Sequence, residues 1–158
     1  MTTSSDIARG ITKNIAKEIT GRVNLITNGG FENGTTGWVK QGAATIAEET
    51  GIVHSGIKSL KLTSAGSGAL SVEQGIPTNI GDNYIANGWL YSATGNIVYL
   101  WIADTPFTIR ISDSGTSISW VKYEVTFQAN VTTTYIGMTV AGGAGAICYI
   151  DDVVAYKT

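Results

Sequence analysis

The sequence predicts an all-β protein, an antiparallel β-sandwich of the jelly-roll type preceded by a short amphipathic helix. Three observations favour this fold class. From Val23 onward apolar and polar residues alternate, as they do in strands buried on one face. The alternating runs are separated by stretches rich in glycine, asparagine, aspartate and serine, which are turn-forming residues. No helical pattern lies between these runs, and strands without interleaved helices form antiparallel sandwiches.

The strands themselves follow from the alternating runs. A chain of 158 residues is long enough for one such domain, which we assign to residues 23–158. The predicted strands are 23–27, 43–48, 57–64, 69–75, 83–92, 96–103, 107–111, 120–128, 134–141 and 146–156.

Residues 1–22 differ chemically from the rest and are predicted to form an N-terminal helical segment for anchoring or oligomerisation. This segment carries a net charge of +2, whereas the remainder carries −4. A lone helix of this length is marginal in water, so its apolar face needs the sandwich, sister helices or another protein to pack on. The residues predicted to dock are the isoleucine stripe Ile7, Ile11, Ile15 and Ile19 and the basic stripe Arg9, Lys13 and Lys17.

The composition argues against several classes of function. The net charge is −2 and charged residues make up 14% of the chain, so we expect no nucleic-acid partner. No apolar run approaches the roughly 18 residues that a membrane span requires. The N-terminus also lacks the contiguous apolar run of an export signal, so we expect assembly in a cytoplasm.

Catalytic machinery is not indicated, and we predict that the chain is not an enzyme. Cys148 is the single cysteine and lies in the apolar run "AICYI", which is typical of a small buried hydrophobe. His54 is the single histidine, and no catalytic triad with sequence support includes it. Glu48, Glu49 and Glu73 could in principle supply a glycosidase carboxylate pair, but nothing in the sequence directs two of them into one cleft.

The stretch "WLYSATGNIVYLW" contains an aromatic constellation that suggests a binding surface. A hairpin turning at Thr-Gly-Asn places Tyr91 opposite Tyr99 and Trp89 opposite Trp101, with all four rings on one face. Asn87 lies on the same face. Such a ladder predicts a carbohydrate platform, because sugar C–H surfaces stack on aromatic rings. The alternative is that this face is the inter-sheet core or a subunit contact.

Four motifs carry a resemblance to a known family. They are "NLITNGGFENGTTGW", "HSGIKSLKLTS", "YIANGWLYS" and "YIDDVVAY". With them the chain resembles the jelly-roll carbohydrate-binding modules of the family 4, 9 and 22 type. The resemblance implies a structural calcium ion held by Glu32 and by Asp151 or Asp152, with backbone carbonyls near 55–58. The alternative is that these carboxylates cap backbone amides or face solvent.

Modules of this kind also occur in bacteriophage tail-fibre and capsid-decoration proteins. Together with the predicted N-terminal helix, this favours a non-enzymatic virion surface protein that docks on other virion proteins, with a homotrimer favoured and weak glycan binding. The alternative function is a glycan-binding module that acts as an adhesin or as an accessory of a polysaccharide-degrading system. The corresponding locations are the virion surface and, for the alternative, the extracellular space.

Overall fold

The computed structural model describes residues 22–66, 70–106 and 108–158. Within these ranges the protein is an all-β antiparallel sandwich of two sheets without a helix, which confirms the predicted sandwich. None of the described residues belongs to a helix long and apolar enough to cross a membrane. The predicted N-terminal helix lies outside the described residues, and so do its docking residues Ile7, Ile11, Ile15, Ile19, Arg9, Lys13 and Lys17.

Ten strands build the described part of the two sheets. They are β1 Val39–Gln41, β2 Thr45–Glu49, β3 Ser59–Thr63, β4 Ser71–Pro77, β5 Asn83–Ser92, β6 Val98–Ala103, β7 Ile109–Gly115, β8 Val121–Gln128, β9 Thr133–Val140 and β10 Ile147–Lys157. Sheet A has the order β1-β4-β9-β6-β7, and sheet B has the order β2-β3-β10-β5-β8. Consecutive strands therefore often lie in different sheets.

The core lies between the two sheets and follows from the alternation in the sequence. In β8, Tyr123, Val125 and Phe127 are buried, while the residues between them are exposed. Side chains that alternate in this way place one apolar face against the opposite sheet. Cys148 is fully buried in the same core, as predicted, and burial raises the pKa of its thiol.

The predicted first strand, 23–27, is wrong as a strand but right in its position beside β10. The Leu25 amide donates to the Ala155 carbonyl at 2.7 Å. The Asn24 side-chain oxygen accepts from the amides of Ile26 and Ala155, both at 3.1 Å. A side chain thus occupies the place of a backbone acceptor, and the regular ladder does not form.

The glycine-rich opening motif connects this segment to the core. The Val153 amide donates to the Gly29 carbonyl at 2.9 Å, so the start of the domain lies against its last strand. Phe31 has a φ of 54° and is buried, with its ring centroid 5.3 Å from that of Trp38. The Trp38 indole donates to the Asn28 carbonyl at 3.0 Å. The rings of Phe31 and Trp38 therefore pack together in the core, and the polar atom of the indole is satisfied.

The predicted hairpin between β5 and β6 is wrong, because the two strands lie in different sheets. Tyr91 is paired with Tyr149 and not with Tyr99. Trp89 is paired with neighbours on β10 and β8, while Trp101 is paired with neighbours on β9 and β7. Alternation along a strand shows which residues share a face, but it does not show which strand is the neighbour. The turn before β6 instead carries the chain from one sheet to the other.

Candidate functional site

The predicted aromatic residues of β6 project from the outer face of sheet A, the side that points away from sheet B. Tyr135 of β9 joins Tyr99 and Trp101 there, and we call these three residues the sheet-A platform. A β-carbon added at Gly137 would overlap the Trp101 indole, so this ring lies directly over the glycine backbone. Trp101 is fully buried, whereas the two tyrosines are half-buried.

Tyr135 also packs against a glycine, which sequence reasoning missed. Its ring carbon Cε1 lies 3.3 Å from the position of a β-carbon built on Gly75. The two strands are paired at this point, so glycine leaves room for the ring on the outer face. A tyrosine opposite a glycine on the adjacent strand is the signal that could have identified it, but only once the strand order was known.

Hydrogen-bonding groups lie beside the platform rings on sheet A. Gln41 Nε2 donates to Glu73 Oε1 at 2.7 Å, and the Trp101 indole nitrogen donates to Thr139 Oγ1 at 2.8 Å. Glu73 is buried, with 2% of its surface exposed. Ser112 and Ser114 are paired with Trp101 and Tyr99 on the adjacent β7. The face therefore combines aromatic rings with fixed polar groups.

The other predicted aromatic residues lie on the outer face of sheet B. We call Trp89, Tyr91, Trp120, Tyr149 and His54 the sheet-B cluster. The His54 and Trp89 rings are stacked with centroids 3.9 Å apart, and each other ring meets its neighbour edge to face at 5.7 to 5.8 Å. Tyr149 is buried and the other four are half-buried.

Asn87, predicted to share the platform, lies on the outer side of β5 with the sheet-B cluster. It is 5% exposed, and its amide nitrogen lies 3.5 Å from Glu124 Oε2. The predicted five-residue ladder is therefore divided between opposite faces of the sandwich, with Tyr99 and Trp101 on one side and Asn87, Trp89 and Tyr91 on the other.

The predicted carboxylates come together around one loop, residues 54–58. Glu32 Oε1 accepts from the amides of Ile57 and Lys58 at 2.9 and 3.1 Å. Asp151 Oδ2 accepts from the amides of His54 and Ser55 at 2.9 and 3.1 Å. The two ends of the domain thus meet at this loop.

Asp152 also binds the loop 54–58. Its Oδ2 lies 2.7 Å from His54 Nδ1, and its Oδ1 accepts from the Ser55 hydroxyl at 2.8 Å. Burial raises the pKa of Asp151, and hydrogen bonds from the Ser55, His54 and Asp152 amides oppose that shift.

The carboxylates are arranged as amide acceptors more than as a metal cage. Among the described residues, no group of three or more His, Cys, Asp or Glu side chains is placed to hold a metal ion. The printed contacts of Glu32, Asp151 and Asp152 go to loop amides, the Ser55 hydroxyl and the His54 ring. These contacts fit the capping alternative, and the calcium ion stays a prediction.

The three glutamates considered for glycoside hydrolysis are not brought into one cleft. Glu48 and Glu49 are consecutive in β2, an edge strand of sheet B, and Glu73 lies in sheet A. Glu48 forms an ion pair with Lys58 at 3.0 Å. Glu49 accepts from the Gly51 amide at 2.6 Å, and this hydrogen bond is the main cause that lowers its pKa.

Comparison with known proteins shows similarity to carbohydrate-binding domains. Residues 23–145 match the family model CBM_4_9, described as a carbohydrate binding domain. Exochitinase 1 of Streptomyces olivaceoviridis is 29% identical over 129 residues, which are 82% of this chain and 21% of that protein. The chain thus spans about a fifth of this relative.

Solved structures share the fold at low identity. The structure of TmCBM61 in complex with β-1,4-galactotriose has a TM-score of 0.67 and 21% identity, covering 86% of this chain and 99% of that one. The enzymatically active domain of tailspike protein 4 from bacteriophage CBA120 has a TM-score of 0.63 and 15% identity, covering 86% of this chain and 22% of that one. These two likenesses show the fold alone.

Proposed function

Because this chain belongs to the CBM_4_9 family of carbohydrate-binding domains, we propose that it binds a neutral glycan on the outer face of sheet A. Carbohydrate-binding domains are non-catalytic, which supports binding as the activity of this domain. The observation that carries the proposal is the sheet-A platform, in which Tyr99, Trp101 and Tyr135 project from adjacent strands beside fixed hydrogen-bonding groups.

The chemistry of this face suits an uncharged sugar. Two rows of paired residues cross β4, β9, β6 and β7 at the platform, and neither contains lysine or arginine. The rows are Glu73, Gly137, Trp101 and Ser112, and Ser71, Thr139, Tyr99 and Ser114. An acidic polysaccharide would bring its carboxylates toward the Glu73 carboxylate, and like charges repel. Half-buried tyrosine rings offer apolar surface for sugar C–H groups, and the nearby hydroxyls can pair with sugar hydroxyls.

Titration calorimetry with neutral oligosaccharides tests the proposal. We would use β-1,4-galactotriose, xylohexaose and chitohexaose as probes. Tyr99→Ala and Tyr135→Ala should each weaken binding about five- to tenfold, because each removes a stacking surface worth roughly 1 kcal/mol. Ile118→Ala, at an exposed position away from the platform, is the control and should bind normally. Normal binding by both tyrosine variants would refute this site.

The sheet-B cluster is the second candidate surface. Its rings are fixed by edge-to-face contacts and several are half-exposed, which reduces the entropic cost of stacking a sugar on them. Tyr91→Ala in the same titrations separates the two surfaces. Loss of binding in Tyr91→Ala with retention in Tyr99→Ala would move the site to sheet B.

The biological setting of the glycan site is a separate proposal. Display on a virion surface is supported by the fold shared with a bacteriophage tailspike domain, and an accessory role in polysaccharide degradation by the similarity to an exochitinase. Carbohydrate-binding modules are typically extracellular or surface-displayed, which fits the second setting and also display on a particle. Immunogold labelling of purified particles distinguishes the settings, since only a virion protein would remain particle-bound.

A further inference from the structure

A cavity at one end of the sandwich lies apart from both aromatic surfaces. Its volume is about 350 Å³, within the range of small-ligand sites. It opens where β4 ends, β5 begins and β10 ends. Its lining includes Arg22, Leu25, Pro77, Asn79, Tyr84 and Lys157. We propose that this end cavity binds a sugar unit bearing a carboxylate, such as a uronic acid.

The charge at the rim selects an anion. The Arg22 guanidinium lies 4.7 Å above the Tyr156 ring, and none of the described carboxylates forms an ion pair with it. Lys157 lies at the same rim and is paired with Asp82 at 2.6 Å. Two cations and one carboxylate leave an excess positive charge in a protein whose net charge is −2. Arginine can bind a carboxylate through two parallel hydrogen bonds.

The walls of the cavity favour a sugar over a bare anion. Leu25 and Pro77 provide apolar surface that a carbohydrate C–H face can cover, and the buried Tyr84 side chain also lines the cavity. The Asn79 amide donates to the Tyr84 hydroxyl at 2.9 Å, which orients that hydroxyl at the cavity. Acetate or inorganic phosphate would use the cations but not this surface. A uronic acid uses both.

This site is independent of the sheet-A platform. Arg22 and Lys157 are exposed residues at one end of the sandwich, whereas Tyr99 and Tyr135 lie on the outer face of sheet A, in strands β6 and β9. The proposal therefore goes beyond the proposed function and succeeds or fails separately. A protein carrying both sites would recognise a neutral stretch of polysaccharide and an acidic unit of the same or of another polysaccharide.

Chemical-shift mapping on the ¹⁵N-labelled full chain tests the inference. The probes are galacturonate, its neutral counterpart galactose, and acetate as a bare carboxylate. Galacturonate should shift the amides of Val23, Thr78, Asn79 and Lys157 and bind more tightly than galactose or acetate. Arg22→Gln should weaken galacturonate binding about fivefold, the upper end for an exposed ion pair. Added salt should weaken it further.

The controls separate this site from general charge and from the other surface. Lys122→Gln removes an exposed lysine of a comparable ion pair on β8 and should leave galacturonate binding unchanged. Tyr99→Ala should also leave it unchanged, whatever its effect on neutral glycans. Absence of shifts at the end cavity, or equal binding of galactose or acetate, would overturn the inference. So would an Arg22→Gln variant that binds galacturonate normally.

Discussion

Gly137 shows how one residue without a side chain determines a candidate binding surface. The Trp101 indole occupies the space that a β-carbon would fill, and its nitrogen is fixed by Thr139. Glycine here is required by close approach and not by turn geometry. The sequence "TYIGMT" marks a glycine inside a strand, but the ring above it belongs to another strand and is not visible from that motif.

Gly137→Ala should therefore destabilise the protein and disturb the sheet-A platform. The added methyl must displace a fully buried indole, and overpacking of this kind costs about 1–3 kcal/mol. Urea unfolding measures the loss, and near-ultraviolet circular dichroism reports the displaced tryptophan. Gly143→Ala is the matched control, because a β-carbon there meets no atom within 4 Å. Equal stability of the two variants would contradict the packing described.

Sequence reasoning succeeds where the environment of a residue is determined by its neighbours in the sequence. Cys148 in an apolar run is buried, as predicted, and Phe31 and Trp38 of the opening motif lie in the core. Sequence reasoning fails where the environment of a residue depends on a partner that is distant in the sequence. Tyr135 was missed for that reason, since its supporting glycine lies on β4.

The loop 54–58 is held from two directions by acidic side chains. Glu32 binds one end of the loop, and Asp151 and Asp152 bind the other. The convergence of these carboxylates is what the resemblance to carbohydrate-binding modules implies. The strand order was not predicted, because β5 and β6 both have apolar core faces and a short turn between them, which suits a hairpin as well as a change of sheet.

The loop also gives the test of the predicted calcium ion. Burial raises the pKa of Asp151, so without metal the Asp151 carboxyl is protonated more readily in the folded protein than in the unfolded chain. The group's contribution to stability is then greatest below its unfolded pKa and declines as the pH rises through the folded value. A bound cation favours the ionised carboxylate and reverses this trend.

We therefore expect calcium chloride to raise the melting temperature relative to EDTA, and to raise it more at about pH 7 than at about pH 4, where protons compete for Asp151. Differential scanning calorimetry measures both shifts. Asp151→Asn removes a ligand charge and should abolish most of the effect. If the melting temperature is the same in calcium and EDTA at both pH values, the three carboxylates serve only to cap the loop.

The two sheets present different chemistry to their surroundings. The outer face of sheet A has aromatic rings with hydrogen-bonding groups that include the Glu73 carboxylate, sheet B has a five-ring cluster, and the end cavity has more cations than carboxylates. The same jelly roll thus has separate candidate positions for ligands. Which position is used depends on side chains at the surface and not on the fold, since the fold is shared with proteins of low identity.

Residues 1–20 belong to the segment that is predicted to dock on a partner or to oligomerise. The buried core of the described domain runs from Ile26 to Ala155 and includes both sheets. Deleting residues 1–20 should therefore leave a folded β domain with nearly the same melting temperature. Light scattering should give the mass of a trimer for the full chain and of a monomer for the shortened one.

A matched pair of full-length variants identifies which stripe of the predicted helix is responsible. Ile11→Ala with Ile15→Ala removes apolar surface, and Lys13→Gln with Lys17→Gln removes charge at the same spacing. If the isoleucines hold sister helices together, only the first pair should dissociate the trimer, because association through an apolar face is insensitive to the basic stripe. A shortened chain that keeps the mass of the full assembly would place the subunit contact on the sandwich itself.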